Sequence, residues 1–503
     1  MAKYLLSIDA GHGGCKCVLF DVESRKYFTS FEKWGYITPG DDFLLKEFDP
    51  NLFFEKICKG VKKLLKKVKA NPKDILAISS SSMRHSFVFL DSNGREIYAG
   101  PNTDARGALY QDIIEEKIGD RIYSITGQWP PLIFVPARLL WFKEEEPEKF
   151  ERIRYALATN DWIIYRLCKT FATEPSIASA TLLLDIKKMT WNQELLDLLE
   201  LSHITLPDLH RTGDIVGELS EDAAKKMNLK KGIPVVMGGA DSQIAMLACS
   251  ALNNGDTAVI AGTSAPVMMS MSKPVVDEKM RTWTSCHVVK DRWVLEANAQ
   301  ITGLNYEWLK SILKEIVGGD DKTIYKIMED MASSVKAAPN DVYAFLGPEI
   351  MDVSNISIVR PGMFLFQQPS HPMNPEPPLF KHFVRSTLEN ISFAIRANVE
   401  LLEEITKNNV DNIYVTGGLT RSNVWLRTLA EITGRKILVS KVEEGTAFGC
   451  AIGAAVGIGL YKNIEEALKN MVELREEILP VDKELYESGY ERWKELYYKI
   501  ADL

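Results

Sequence analysis

The sequence predicts an α/β protein of two large domains, and three observations carry that expectation. Short apolar runs of strand type alternate with helical patterns and break into Gly-rich turns. A strand, turn and strand near the N-terminus has an echo about half a chain later. The 503 residues exceed what one ordinary core accommodates.

Residues 3–8 form an apolar strand that ends at Asp9. Ala10-Gly11-His12-Gly13-Gly14 makes a tight turn, and residues 15–20 return as a strand carrying Lys16. Glycines let backbone amides approach a phosphate closely. Lys16 can neutralise phosphate charge, and Asp9 can hold Mg²⁺ through water. A Gly-rich hairpin is also a common turn. The echo is a strand at 257–261, the turn Gly262-Thr263-Ser264 and a strand at 265–271, with Ala261 in place of the acid. Two such units suggest a duplicated architecture with a nucleotide between its halves.

Residues 49–69 read as an amphipathic helix with lysines on its outer face. A strand at 74–79 leads into Ser80-Ser81-Ser82-Met83-Arg84-His85, and 86–90 continues extended. Arg and His among serines at a strand end suit a polyhydroxylated substrate, and equally a polar turn. Asp91-Ser92-Asn93-Gly94 is a hairpin turn. In Asn102-Thr103-Asp104-Ala105-Arg106, the Asp and Arg could bind sugar hydroxyls or pair with each other. Helices follow at 134–146 and 160–167.

The stretch 233–264 organises the chain. Val235-Val236-Met237 is a strand that breaks into Gly238-Gly239-Ala240-Asp241-Ser242-Gln243, and 244–252 has the look of a buried helix. An acid after a strand, followed by a second phosphate turn, suggests phosphoryl transfer, in which the enzyme positions groups and handles charge. Asp241 and Ser242 also suit a helix N-cap. The domain boundary is expected just after Asp241, giving domains 1–241 and 242–503.

In the second half, a strand near 293–296 precedes Thr302-Gly303 and a helix through Trp308. Residues 354–378, rich in Pro, Ser and Gln, read as a surface loop. A long helix spans 382–405 and a strand 412–416. Gly417-Gly418 and a helix over 421–433 follow, an arrangement that lets a nucleotide lie against the backbone. After a strand at 436–440, the Ala- and Gly-rich helix 446–458 permits close packing, against a neighbouring element or beneath an adenine. Residues 464–477 and 483–501 read as surface helices.

Composition bounds the rest. Apolar and charged fractions of 46% and 25% are those of a globular protein. A net charge of −8 argues against sequence-independent nucleic-acid binding. No apolar run is long enough to span a bilayer, and no signal-peptide pattern opens the chain. Seven scattered Cys read as free thiols in a reducing cytoplasm.

Taken together, these segments resemble the FGGY family of carbohydrate kinases. The resemblance implies a ribonuclease H-like, two-domain ATPase fold of the actin and hexokinase superfamily, with a nucleotide and sugar cleft between the domains. The family's first phosphate motif, Asp-x-Gly-Thr-Thr-x-x-Arg, is matched by Asp9 to Lys16, with His12-Gly13 for Thr-Thr and Lys16 for Arg. Its Gly-Asp-x-Gln segment, bearing the catalytic base, is matched by Ala240-Asp241-Ser242-Gln243. Gly262-Thr263-Ser264 matches its second phosphate turn, and Gly417-Gly418 with Ser422, Asn423 and Trp425 its adenosine motif. Gly303 fits a further nucleotide-contacting glycine. Of the two signature regions, 133–145 has Arg138 for the usual Lys, and the second ends at 382–389. Ser82-Met83-Arg84 and Asn102-x-Asp104-Ala105-Arg106 look most like the autoinducer-2 kinases of that family. Xylulose kinases usually have Met-His at Met83-Arg84 and a segment from which Gly347-Pro348-Glu349-Ile350 departs.

The resemblance implies ATP and Mg²⁺ as cofactors and a small sugar, polyol or linear dihydroxy-ketone as substrate. Asp241 would be the base and Asp9 the metal-orienting acid. The Gly11–Gly14 amides, Lys16, Thr263 and Ser264 would hold phosphate charge. Met83, Arg84, His85, Asp104, Arg106 and Gln243 would position substrate with Asp241. Alternatives are a xylulose or other pentulose or polyol kinase, an ATPase or ATP-binding regulator of the same superfamily, and a sugar-binding protein. The oligomeric state stays open, a homodimer included.

Overall fold

The computed structural model describes residues 3–40, 42–119, 121–336, 342–355, 361–369 and 377–501. It divides into two units. The first comprises Met1–Ser250, Met271–Val294 and Gly445–Val472, and the second Ala251–Ser270, Leu295–Glu444 and Glu473–Leu503. The expected boundary after Asp241 therefore falls inside the first unit, and two later stretches of chain return to it.

The first unit is built on a six-stranded sheet. Its order is Ile215–Glu218, Pro234–Val236, Ile75–Ser82, Tyr4–Gly11, Gly14–Asp21 and Tyr27–Lys33. Tyr4–Gly11 runs parallel to Ile75–Ser82, which runs parallel to Pro234–Val236. Both long strands are buried along most of their length, as strands covered on two faces must be. One cover is the helix Pro50–Val68. Asp49 caps it by accepting from the Asn51 and Leu52 amides, and Phe53, Phe54, Ile57, Val61 and Leu64 face the sheet. A second cover is the helix Gly445–Gly457, packed on Tyr4–Gly11, on Ile75–Ser82 and on the short helix Asp241–Ala245. Its small residues thus serve close packing within this unit, one of the two roles the sequence left open.

The second unit holds the strands Trp293–Ile301, Ser264–Met271, Thr257–Ile260, Asn412–Thr416, Lys436–Ser440 and Leu474–Ile478, in that order. The echo of the first hairpin is present: Thr257–Ile260 pairs antiparallel with Ser264–Met271 and parallel with Asn412–Thr416. The helix Phe380–Thr406 packs on Asn423–Thr433.

Several elements differ from expectation. The helix expected over 464–477 ends at Met471, and Leu474–Ile478 is a strand paired with Lys436–Ser440. Its consecutive charges Arg475, Glu476 and Glu477 suit an open sheet edge. The terminal helix Glu487–Ala501 is not merely superficial, since Tyr490, Trp493 and Tyr497 form a buried face. Its charges occupy only the other side. The helix expected over 244–252 splits into Asp241–Ala245 and a 3₁₀ turn at Met246–Cys249, closed by Ser250 in the left-handed region. Within the expected loop 354–378, Met363–Phe366 pairs as a strand with Val342–Phe345, while 356–360 and 370–376 lie outside the described residues. Asp321–Ser333, for which the sequence reading gave no element, is a helix capped by Asp320. Among the described residues, no helix is long and apolar enough to cross a membrane.

The helix Gly445–Gly457 supplies a test of this packing. Gly to Ala in a helix interior normally stabilises by about 1 kcal/mol. A Cβ at Gly449 would stand 2.1 Å from the Ile244 carbonyl oxygen, a backbone atom that cannot step aside. Gly449→Ala should therefore lower the unfolding midpoint, by the roughly 1–3 kcal/mol typical of overpacking. An unchanged or raised midpoint in urea would contradict the packing.

Candidate active site

Three neighbouring parallel strands of the first unit end together, and the chemistry stands at their ends. Asp9 lies opposite Lys16 on one side and Ser81 on the other. The Met83 amide donates to the Ala10 carbonyl at 2.9 Å, which carries the serine strand past the hairpin. Ser82 bridges to Ala240, and the Ser81 hydroxyl donates to the Gly239 carbonyl at 2.7 Å. Gly238 is required here, because a Cβ would meet the Ser80 carbonyl oxygen at 2.0 Å. Asp9, Arg84 and Asp241 thus leave adjacent strand ends, the usual location of α/β sites.

Arg84 Nε lies 3.6 Å from Asp241 Oδ1, with side chains 11% and 30% exposed. Arg84 also lies over the Trp283 ring, 5.9 Å from its centroid. Asp241 opens its helix, and its Oδ1 accepts from the Ser242 amide at 2.7 Å. The N-cap reading of Asp241 is corrected, since Ala240 holds the N-cap position and Asp241 is the first helical residue, with its carboxylate within reach of solvent beside a guanidinium. His85 is buried, its backbone at φ +58°, its ring between Phe134 and Trp283. Burial, then Arg84 and Arg138, push the imidazole well below its usual range, so it is neutral. Its Nε2 is buried without a hydrogen-bond partner. Gln243 Nε2 donates to Ser285 Oγ at 2.9 Å, and its Oε1 is likewise buried and unpartnered. Trp283 and Ser285 share one face of the strand Trp283–Cys286. Two orphan polar atoms are therefore held along that face.

Asp104 and Arg106 are a correction. Expected as substrate ligands, both are buried, with side chains 0% exposed. Asp104 accepts from the Lys46 amide, the Tyr98 hydroxyl and Arg106 Nε, at 2.8, 2.5 and 2.8 Å. Arg106 Nη2 bonds Glu47 at 2.7 Å, and its guanidinium lies over the rings of Tyr98 and Trp141. Buried ions must be paired, and here Asp104 and Arg106 pair with each other and Arg106 with Glu47.

A second buried relay holds the loop that carries Asp241. Glu174 Oε2 accepts from the Ser176 amide and hydroxyl, and Ser176 Oγ accepts from the Ala240 amide at 3.0 Å. Burial pushes the Glu174 and Asp161 carboxyls up to about 8, so both are largely protonated at neutral pH. Sequence reasoning missed Glu174 and Ser176 as well as Trp283. The N-cap pattern Glu174-Pro175-Ser176 was the available signal.

In the second unit, a cavity of about 680 Å³ gathers Gly262, Thr263, Gly303, Gly418 and Ser422. The Thr302 and Leu304 amides donate to the Thr263 carbonyl, fixing the turn Gly262-Thr263-Ser264 to a helix start. A Cβ at Gly303 would meet the Gly262 carbonyl at 2.2 Å. Gly417, at φ +111°, faces the Ala261 carbonyl in the same manner. Ser264, Gly417 and Asn423 do not line the cavity: Ser264 starts a strand and Asn423 is an exposed helix start. Ser422 caps that helix and donates to Glu329 at 2.7 Å. The remaining wall includes Leu304, Tyr306, Tyr325, Lys326 and Glu329, none foreseen. The spacing of Ile324, Met328 and Ala332 marks the buried face of their helix and could have found it.

Among the described residues, no group of three or more His, Cys, Asp or Glu stands together as a metal cage. Mg²⁺ bound on a nucleotide needs only one or two carboxylates beside phosphate and water, and Asp9 opposite Lys16 fits that demand.

Residues 4–248 match the N-terminal domain, and 257–458 the C-terminal domain, of the FGGY family of carbohydrate kinases. An autoinducer-2 kinase of Salmonella choleraesuis is 29% identical, over 98% of this chain and 94% of that protein. A ligand-bound xylulose kinase of Lactobacillus acidophilus superposes with a TM-score of 0.83 at 21% identity, covering 99% of this chain and 98% of the other. A gluconate kinase of the same organism gives 0.82 at 22%, covering 100% and 98%. The expected two-domain kinase fold is thereby established. Two differently named kinases on one fold show that the fold does not choose the substrate.

The buried carboxyls predict a pH dependence of stability. Between the unfolded value of about 4.3 for Glu and the folded value near 8, the folded chain keeps a proton that the unfolded chain releases. Stability should therefore fall as pH rises through that window, by roughly 1.4 kcal/mol per unit for each such carboxyl, and level off above it. Glu174→Gln keeps the acceptor for Ser176 and removes the titration. Urea midpoints at pH 6 and pH 9 should differ less in the variant than in the unaltered protein. Equal losses would contradict the neutral state of Glu174.

Proposed function

The chain belongs to the FGGY family of carbohydrate kinases, and from that premise we propose that it transfers the γ-phosphoryl group of ATP to a hydroxyl of a short, linear dihydroxy-ketone, as an autoinducer-2 kinase does. The observation that carries this reading is the Arg84–Asp241 pair at 3.6 Å, set beside Trp283 where neighbouring strands end.

Asp241 accepts the proton of the substrate hydroxyl as that oxygen attacks phosphorus. Arg84 presents a rigid fork of donors to a carbonyl or hydroxyl of the acceptor. The unpartnered His85 Nε2 and Gln243 Oε1 offer one donor-or-acceptor and one acceptor for its remaining oxygens. Asp104, expected as such an acceptor, leaves that role to them. Met83 is buried beside Arg84 and forms part of the apolar wall. The amides of Gly11 to Gly14 with Lys16 offer donors to phosphate charge, and Thr263 is a separate candidate donor on the second unit. Mg²⁺ carried by the nucleotide would neutralise phosphate oxygens, and Asp9 would hold it through water. The cavity bearing Gly303 and Gly418 takes the adenosine. Seven free thiols among the described residues suit a reducing cytoplasm.

A coupled assay of ADP release tests this reading. Asp241→Asn should lower turnover by about a hundred- to ten-thousand-fold while ATP still binds. Near-normal turnover would reduce Asp241 to a first-turn residue of its helix. In the unaltered protein, the linear autoinducer-2 precursor should exceed xylulose in kcat/KM. Arg84→His should narrow that gap by about ten- to a hundred-fold, the worth of one buried charge-assisted contact. A preference for xylulose would overturn the substrate and leave the kinase.

A further inference from the structure

The short helix Pro175–Ser179 is tied to both walls of the candidate acceptor site. At one end, Ser176 Oγ accepts from the Ala240 amide at 3.0 Å, one residue before Asp241. At the other, Ser179 Oγ accepts from the Cys286 amide at 3.0 Å, on the strand that carries Trp283 and Ser285. Gln243 Nε2 closes the ring by donating to Ser285 Oγ at 2.9 Å. The helix, the loop of Asp241 and the strand of Trp283 therefore form one hydrogen-bonded circuit. The side chains that make it, Ser176, Ser179, Gln243 and Ser285, are all buried.

Both serines are oriented from within the helix. Glu174 caps it, accepting from the Ser176 amide and hydroxyl. With its proton given to Glu174, the Ser176 hydroxyl has only lone pairs to offer the Ala240 amide. The Ser179 hydroxyl donates to the Pro175 carbonyl at 2.7 Å, which leaves its lone pairs for Cys286. Hydroxyls hold the preceding peptides of the Asp241 loop as well. Thr212 Oγ1 donates to the Gly238 carbonyl at 2.9 Å, and Ser81 Oγ to the Gly239 carbonyl at 2.7 Å. Ser176 differs from these two in joining the loop to the strand of Trp283 through its helix. Gly239 permits the approach, since a Cβ there would stand 3.4 Å from Ser176 Oγ and 2.4 Å from a Val288 methyl.

We propose that Ser176 and Ser179 are paired positioning residues: Ser176 sets the Asp241 carboxylate against the reacting hydroxyl, and Ser179 sets the wall of Trp283 and Ser285 that reads the rest of the acceptor. The proposal rests on the kinase reading of the Arg84–Asp241 site and divides its two tasks between the two ends of one helix. A base displaced by about 1 Å can cost a hundredfold in rate. A displaced wall is felt instead in the binding of the acceptor. The phosphate hairpin lies outside the circuit, so the binding of ATP is not among its tasks.

The test compares Ser176→Ala, Ser179→Ala, Glu174→Ala and Glu174→Gln with the unaltered protein in the coupled assay. Each serine variant orphans one buried amide, so both should lose similar stability in urea, and a merely structural role would move their kinetics alike. Ser176→Ala should lower kcat by about ten- to a hundred-fold and leave KM for the acceptor nearly unchanged. Ser179→Ala should raise KM for the acceptor by about tenfold and leave kcat nearly unchanged. KM for ATP should hold constant in both. Glu174→Ala should follow Ser176→Ala, whereas Glu174→Gln, which keeps an acceptor for the Ser176 hydroxyl, should retain kcat. A second readout needs no turnover. Amide hydrogen exchange followed by mass spectrometry should quicken over 238–243 in Ser176→Ala and over 283–288 in Ser179→Ala. The same shift of kcat and KM in both serine variants, or exchange that quickens over both segments in each or over neither, would overturn the bracket and leave the kinase. An unaltered protein that transfers phosphate to no acceptor would overturn the kinase reading and the catalytic half of this inference with it, and the exchange pattern separates that failure from a failure of the bracket.

Discussion

The pairing of Ile75–Ser82 with its two parallel neighbours is the constraint on which the first unit depends. A parallel strand set fixes which residues emerge together at its carboxyl end. Here the register delivers Asp9, Arg84 and Asp241 to one edge. The run Ser79 to Ser82 is buried in that pairing, with the Ser80 hydroxyl donating to Asn160 Oδ1 and the Ser81 hydroxyl to the Gly239 carbonyl. Gly238 and Gly449 each face a backbone carbonyl at about 2 Å from where a Cβ would be. Close backbone approach is thus what Gly238 and Gly449 have in common.

Charge is handled in two ways behind that edge. Asp104, Arg106 and Arg138 are ionic and mutually paired, whereas Glu174 and Asp161 are kept neutral by burial. Removing one partner from the first group would leave an uncompensated ion; the second group needs none. In contrast, the side chains of Arg84 and Asp241 keep some exposure.

Much of this was legible in the sequence where local pattern and glycine chemistry coincide. The hairpin at Asp9 to Lys16, the echo ending in Gly262-Thr263-Ser264 and the strand before Gly417-Gly418 lie where the pattern put them. Asp104 and Arg106 take the second of the two roles the sequence left open, both buried and paired with each other, and neighbouring charges alone could not choose between those roles. Leu474–Ile478 was misassigned because its Glu and Arg favour helix locally, while an unpaired sheet edge decides the outcome. Trp283, Glu174 and Tyr325 escaped because each reaches its site through tertiary packing, across long separations in the chain. Asn102 was quoted only as part of a motif, and its contact with His12 spans ninety residues.

The central claim is phosphoryl transfer to a carbon-bound hydroxyl. The most direct measurement follows the γ-phosphoryl group itself, using ATP labelled with ¹⁸O at its terminal phosphate and mass spectrometry of the products. With the linear autoinducer-2 precursor present, the label should appear in a phosphate ester of that acceptor. Label found only in inorganic phosphate, with the acceptor and every sugar or polyol tried unmodified, would contradict it and leave an ATPase.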